Sequence, residues 1–88
     1  MKYIVEVLCE CQKRIVFKTY DWPDHVQEEE TVSIGTGSMY PVTSKKHYFE
    51  AAAPFKKGDV VLTIYDVPVF EFDNLIENNG WSSHPYLE

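Results

Sequence analysis

The chain carries 14 acids against 8 bases over 88 residues, a net charge of −6, and is 44% hydrophobic and 15% aromatic. That length allows one domain and leaves no room for a second, nor for a dinucleotide-binding βαβ pair, a barrel of eight βα units or a kinase lobe. The apolar content is too high for a disordered acidic tail, and no apolar run approaches the ~20 residues that span a bilayer, so no membrane partner is expected. Glu6 interrupts the apolar stretch that a secretory signal would need, and export by that route is not expected.

The charge is unevenly placed. Residues 1–57 hold 8 acids and all 8 bases, whereas residues 58–88 hold Asp59, Asp66, Glu71, Asp73, Glu77 and Glu88 with no Lys or Arg. A negative field repels phosphate backbones, so direct nucleic-acid binding is disfavoured, and the same field suits a basic protein partner or simple solubility. Cys9 and Cys11 on one extended strand would have Cα atoms ~6.5–7 Å apart, at or past the disulfide limit. With no staple and no export signal, a reducing cytoplasm is the expected setting.

Residues 2–11 alternate like a half-buried strand, with Tyr3, Val5, Val7, Cys9 and Cys11 on the core face and Ile4 and Leu8 breaking the polar one. Gln12-Lys13-Arg14 interrupts it, and Ile15–Tyr20 reads as the second strand of an antiparallel hairpin. Asp21–Glu30 resembles a short capped helix, with Asp21 at its start and Pro23 in its first turn. Thr31–Ser44, with Gly35, Gly37 and Pro41, is a loop or strand edges around a loop. In His47–Ala53 the aromatics argue strand and the Ala triplet argues helix; strand is the expectation, ended by Pro54.

Phe55–Asp59 is a turn, and Val60–Tyr65 is the clearest strand, apolar on both faces and therefore placed centrally. Asp66-Val67-Pro68 should break it, leaving Val69–Phe72 as an edge strand that could pair two copies into a homodimer. Asp73–Gly80 then fits a helix of about two turns, with Gly at its end. Together these predict an α+β, mostly β fold: a compact single domain with a four- to five-stranded, largely antiparallel sheet or small barrel and one or two short helices.

Three chemistries invite testing. Gly35-Thr36-Gly37-Ser38-Met39-Tyr40-Pro41, followed by Gly58-Asp59-Val60-Val61, is similar to the Ser-Met-x-Pro box and downstream Gly-Asp strand of signal peptidases and related Ser/Lys proteases. The resemblance implies Ser38 as nucleophile with a buried lysine as base. That family's lysine follows the Gly-Asp box, no lysine follows Lys57 here, and Ser38 reads as a loop serine. Cys9 and Cys11 with His25, His47 or His84 offer zinc donors, but a single intervening residue is unusual for structural zinc, and both cysteines continue an apolar face. Neither His25 beside Asp24 nor His47 beside Lys45 and Lys46 selects an acid–base pair. No catalytic residue, metal or cofactor is assigned.

The aromatics of the acidic third are the better clue. Phe70 and Phe72 share one face of the expected edge strand, and Trp81 and Tyr86 lie in a segment too polar to be a strand. Such aromatics either fold back on the core or are offered to a partner. The expected function is therefore a non-enzymatic, small acidic protein that binds another protein through Asp66, Phe70, Glu71, Phe72, Asp73, Glu77, Trp81 and Tyr86. An inhibitor or regulator masking a basic, nucleic-acid-binding surface fits this build, by analogy with the small acidic inhibitors of phages and mobile elements. The alternatives are a small-molecule or metal-binding β module and a structural subunit of a larger assembly.

Overall fold

β1 (Lys2–Cys9) and β2 (Ile15–Asp21) form the hairpin that the alternation predicts, paired from Lys2 with Asp21 to Leu8 with Ile15. The computed structural model describes residues 2–11, 13–35 and 37–86; the expectations that touch Met1, Gln12, Thr36 and Leu87–Glu88 lie outside them. Along the chain there follow β3 (Thr31–Ser33), β4 (Met39–Pro41), β5 (Ser44–His47), β6 (Val60–Val67) and α1 (Val69–Asn78).

Four strands make one mixed sheet in the order β2-β1-β6-β5, and β3 pairs with β4 in a separate hairpin. β6 runs parallel to β1 and antiparallel to β5. The sheet ends in β2 and β5, so it is open rather than closed into a barrel. β6, whose sequence is apolar on both faces, is central as burial on both sides requires, and β1 lies beside it with Ile4 buried on its second face. At the far edge β5 carries Lys45 and Lys46, charges that suit an edge. Part of the outer edge of β2 is taken up by the chain end: Phe17 and Ser82 exchange both backbone hydrogen bonds, at 2.7 and 3.1 Å.

Tyr3, Val5, Val7 and Cys9 point to the face that α1 and the β3–β4 hairpin cover, where Leu62, Ile64, Val67, Ile34, Val42, Phe72, Leu75 and Trp81 join them in the main core. Cys11 has left this face and is exposed. Ile4, Phe17 and Val61 point the other way and pack beneath Phe55, with Tyr48 and Tyr86 at the rim.

Four segments differ from expectation. Asp21–Glu30 is not helical, because Trp22 and Val26 are its only large apolar side chains and each is claimed by the sheet. Trp22 stacks on Tyr20 at 4.8 Å between ring centres, and the Val26 amide donates to the Tyr3 hydroxyl at 3.0 Å. The backbone of Glu29 and Glu30 pairs instead with Val42. The strand expected over His47–Ala53 stops at His47, where Tyr48 and Gly58 turn the chain by backbone bonds of 2.8 and 2.7 Å to Asp59 and Tyr48.

β6 does not break at Asp66. Val7 pairs with Ile64 but Cys9 with Val67, so β6 holds one extra residue in a bulge, with Asp66 at φ 61°. An acid tolerates that left-handed backbone, and the added residue returns Val67 to the core face. Val69–Phe72 is the first turn of α1, not an edge strand. It presents no strand edge, because its backbone is helical and the Val69 amide is taken by the Glu10 carboxylate. α1 starts four residues before the expected Asp73, with Pro68 at its N-cap. At its other end Gly80 takes φ 75°, Trp81 N–H reaches back to the Leu75 carbonyl, and Lys18 Nζ donates to the Asn79 carbonyl at 2.6 Å. Gly35 lies against this end, where a Cβ would come within 2.8 Å of the Asn79 side chain.

Candidate functional site

Pro68 has no side chain able to satisfy the free amides at the start of α1. Glu10, at the end of the β1 strand, does so: its Oε2 accepts from the Val69 amide at 3.1 Å, while its own amide donates to the Val67 carbonyl at 2.9 Å. Glu71, in the first turn, adds a second carboxylate where the helix dipole favours one, and its Oε1 accepts from the Ser38 hydroxyl at 2.9 Å. The turn between β3 and β4 is thereby tied to α1, and Met39, 58% exposed, follows directly on the tie.

Helical geometry separates the two phenylalanines that strand periodicity would place together. Residues two apart on a helix point ~200° from one another. Phe72 is accordingly in the core, and Phe70 stands out at 74% exposed. Of the eight residues expected to meet a partner, Phe72 and Trp81 are core residues, and Tyr86 lies over the opposite face of the sheet. Asp73 is bound by Arg14 at 2.8 Å, with the guanidinium 4.8 Å above the Phe72 ring. Asp66, Phe70, Glu71 and Glu77 remain around the accessible side and N-terminal end of α1, Glu71 held partly buried by Ser38 and the others exposed.

The acidic third is therefore not one continuous field. Asp59 is bonded to the Tyr86 hydroxyl, Asp73 to Arg14 and Glu71 to Ser38. The bases are also dispersed, and five of the 8 lie over aromatic rings: Arg14 on Phe72, Lys18 on Tyr20, Lys45 on Tyr3, Lys46 on Tyr48 and Lys56 on Tyr86. Burial, the hydrogen bond to Asp59 and that carboxylate's charge together push the Tyr86 phenol up to about 12.

What remains accessible is a short apolar stretch next to acids. Tyr65, Val69, Phe70 and Ile76 are exposed beside Asp66 and Glu77, all carried by the end of β6 and by α1. Tyr65, Val69, Ile76 and Met39 are additions to the residues chosen from sequence. A helical reading from Pro68 onward would have found Val69 and Phe70 together on the outer side. Phe49 is another exposed aromatic, in a separate loop, where it lies 4.5 Å from the His47 ring.

Ser38 of the protease-like box is engaged with a carboxylate, Glu71, and Lys45, Lys46 and Lys56 are engaged with rings. Among the described residues no three His, Cys, Asp or Glu gather closely enough to hold a metal ion, and no helix is long and apolar enough to cross a membrane. No protein-family model, curated protein or solved structure gives a match to this chain.

Proposed function

We propose that this chain is a non-enzymatic binding domain that docks another protein against the N-terminal end of α1, in a cytoplasmic setting. The observation that carries the reading is Phe70, 74% exposed on a helix whose opposite side supplies Phe72 and Leu75 to the core. A rigid helix held at both ends presents that ring at little entropic cost. Exposed aromatics of this kind are enriched where one protein anchors in another. Asp66 and Glu77 are exposed acids on the same elements as the ring, and the base against this helix, Arg14, is already bound to Asp73, which supports a basic matching surface on the partner. An inhibitor or regulator that masks a basic, nucleic-acid-binding surface is the form of this function that the charge supports.

The test is capture of partners on immobilised protein from a lysate of the source, comparing wild type with Phe70→Ser and with the pair Asp66→Asn and Glu77→Gln. The reading expects one partner whose capture fails with Phe70→Ser and weakens with the charge variant, most at low salt. All three forms should have the same circular dichroism. A partner held equally by all three would place the interface elsewhere.

A further inference from the structure

The register of the sheet gathers a second group of side chains at the end of the molecule away from the start of α1. Tyr3 lies near the start of β1, whereas Glu10, which holds the Val69 amide, lies past its other end. Ile4 pairs with Val61 in the parallel ladder, so one step earlier Tyr3 stands beside Val60, and Val60 pairs in turn with His47 on β5. Tyr3, Val60 and His47 thus form a row across three strands on the sealed face, and Lys45, two residues before His47, shares that face. The Lys45 ammonium accordingly lies 5.9 Å over the Tyr3 ring.

His25 reaches the same place from the loop after β2. Its neighbour Val26 is buried and donates its amide to the Tyr3 hydroxyl at 3.0 Å, which fixes this part of the loop to the strand. Tyr3, His25, Lys45, His47 and Val60 line one cavity of about 230 Å³, and no acid is among them. Glu28 accepts from the Lys45 backbone amide at 3.3 Å, and Asp24 precedes His25 in the chain, but neither forms part of the wall. Lysine brings three N–H donors, and an imidazole brings at least one in either protonation state. The ring contact of Lys45 uses its charge and none of those donors. A metal ion would find two imidazoles here but no carboxylate or thiolate, with an ammonium against it.

We propose that this cavity binds a phosphomonoester, its phosphate held by Lys45, His25 and His47 and its organic group laid against Tyr3 and Val60. Phosphate oxygens accept from several directions at once, which suits donors that converge from β5 and from the loop after β2. Lysine serves such a group as a point charge. The cavity shares no residue with the surface proposed around α1, so either reading can fail without the other.

The three histidines of the chain provide the readout. His84, whose Nδ1 accepts from the Tyr86 amide at 3.1 Å, lies outside the cavity and serves as the internal control. Imidazole proton resonances are followed while the folded chain is titrated with inorganic phosphate and then with phenyl phosphate, at fixed pH and ionic strength. His25 and His47 should shift along one saturating curve while His84 stays in place. Phenyl phosphate should bind about threefold or more tightly than inorganic phosphate, through the apolar part of the wall. Lys45→Gln should weaken both by about tenfold or more. Lys57→Gln, the same loss of charge at an exposed position outside the wall, should match wild type. Three histidines that move together without saturation, equal weakening by the two lysine variants, phenyl phosphate that binds no tighter, or shifts of His25 and His47 with zinc chloride and not with phosphate would each overturn the proposal.

Discussion

The two faces of the four-stranded sheet are built from the same strands and finished differently. One is sealed along the lengths of β1 and β6 by α1, the β3–β4 hairpin and Trp81. The other is covered only at one end, where Phe55, Tyr48 and Tyr86 sit over Ile4, Phe17 and Val61. Farther along that second face, on the same side of β1, come Glu6, half-buried beside Thr63, then Leu8, with the 37%-exposed Ile15 opposite it on β2. The sealed face makes the fold, and the half-covered face is where side chains keep contact with water. Single substitutions should therefore act with different sizes, and even different signs, on the two sides.

The largest effect belongs to the sealed face. Phe72→Ala removes a ring with no exposed surface and should cost about 3–5 kcal/mol, a large part of the ~5–10 kcal/mol available to a domain of this size. Phe55→Ala, on the other face, takes away the edge-on contact with Phe17 at 5.9 Å and should cost about 2–3 kcal/mol, since its loop can settle into the space. Urea denaturation of both variants measures the difference. Equal losses would mean that the two clusters contribute as one core.

What was legible in the sequence follows the same division. The alternation of Tyr3, Val5 and Val7 identifies β1 as a strand, and the doubly apolar Val60–Tyr65 run identifies β6 as a central one, whereas the equally central place of β1 depends on its pairing with β6 and is not visible in a half-buried pattern. The start of α1 is ambiguous in sequence because Val69-Phe70-Glu71-Phe72 satisfies a period of two as well as it satisfies one helical turn. The deciding contacts, Glu10 to the Val69 amide and Ser38 to Glu71, come from 59 and 33 residues away. The parallel pairing of β1 with β6 and the bulge at Asp66 are likewise long-range matters. At the candidate surface the acids were legible as composition, but which of them are bound by Arg14, Ser38 or Tyr86 is set by tertiary packing alone.

A distant cap is testable at intermediate size. Glu10→Ala should lose about 1 kcal/mol by leaving the Val69 amide without its acceptor, and Glu10→Gln, which keeps a carbonyl oxygen, should recover part of it. If Glu10→Ala is neutral, α1 is fixed by Phe72 and Leu75 alone, and the sealed face is more self-sufficient than its contacts suggest.

Tyr86 supplies the corresponding test on the half-covered face. Its phenol is pushed up to about 12, so the folded state retains a proton that the unfolded chain gives up near 10. The contribution of this group is whole below pH ~10 and falls away as the pH climbs toward its folded value. Tyr86→Phe should cost about 1 kcal/mol at neutral pH, through the lost bond to Asp59, and should flatten that alkaline decline. A decline of the same steepness in the variant would assign it to other tyrosines.

The smallest effect has the opposite sign. Glu6 is half-buried on the second face, and desolvation raises its carboxyl above the ordinary 4.5, outweighing the hydrogen bond from the Thr63 hydroxyl that lowers it. The folded state thus prefers the protonated acid, and its contribution is greatest below about pH 4.5 and is lost as the pH rises through the folded value. At neutral pH the ionised group is a cost. Glu6→Gln removes the charge and keeps an oxygen for Thr63, so it should stabilise the neutral protein by a few tenths of a kcal/mol, about 0.5 at most. The gain should vanish on acidification, when wild type acquires its own proton. Denaturation at neutral and at acid pH decides the matter. A variant that is less stable than wild type at neutral pH would show that water reaches Glu6 freely, and that the open half of this face is wet rather than merely uncovered.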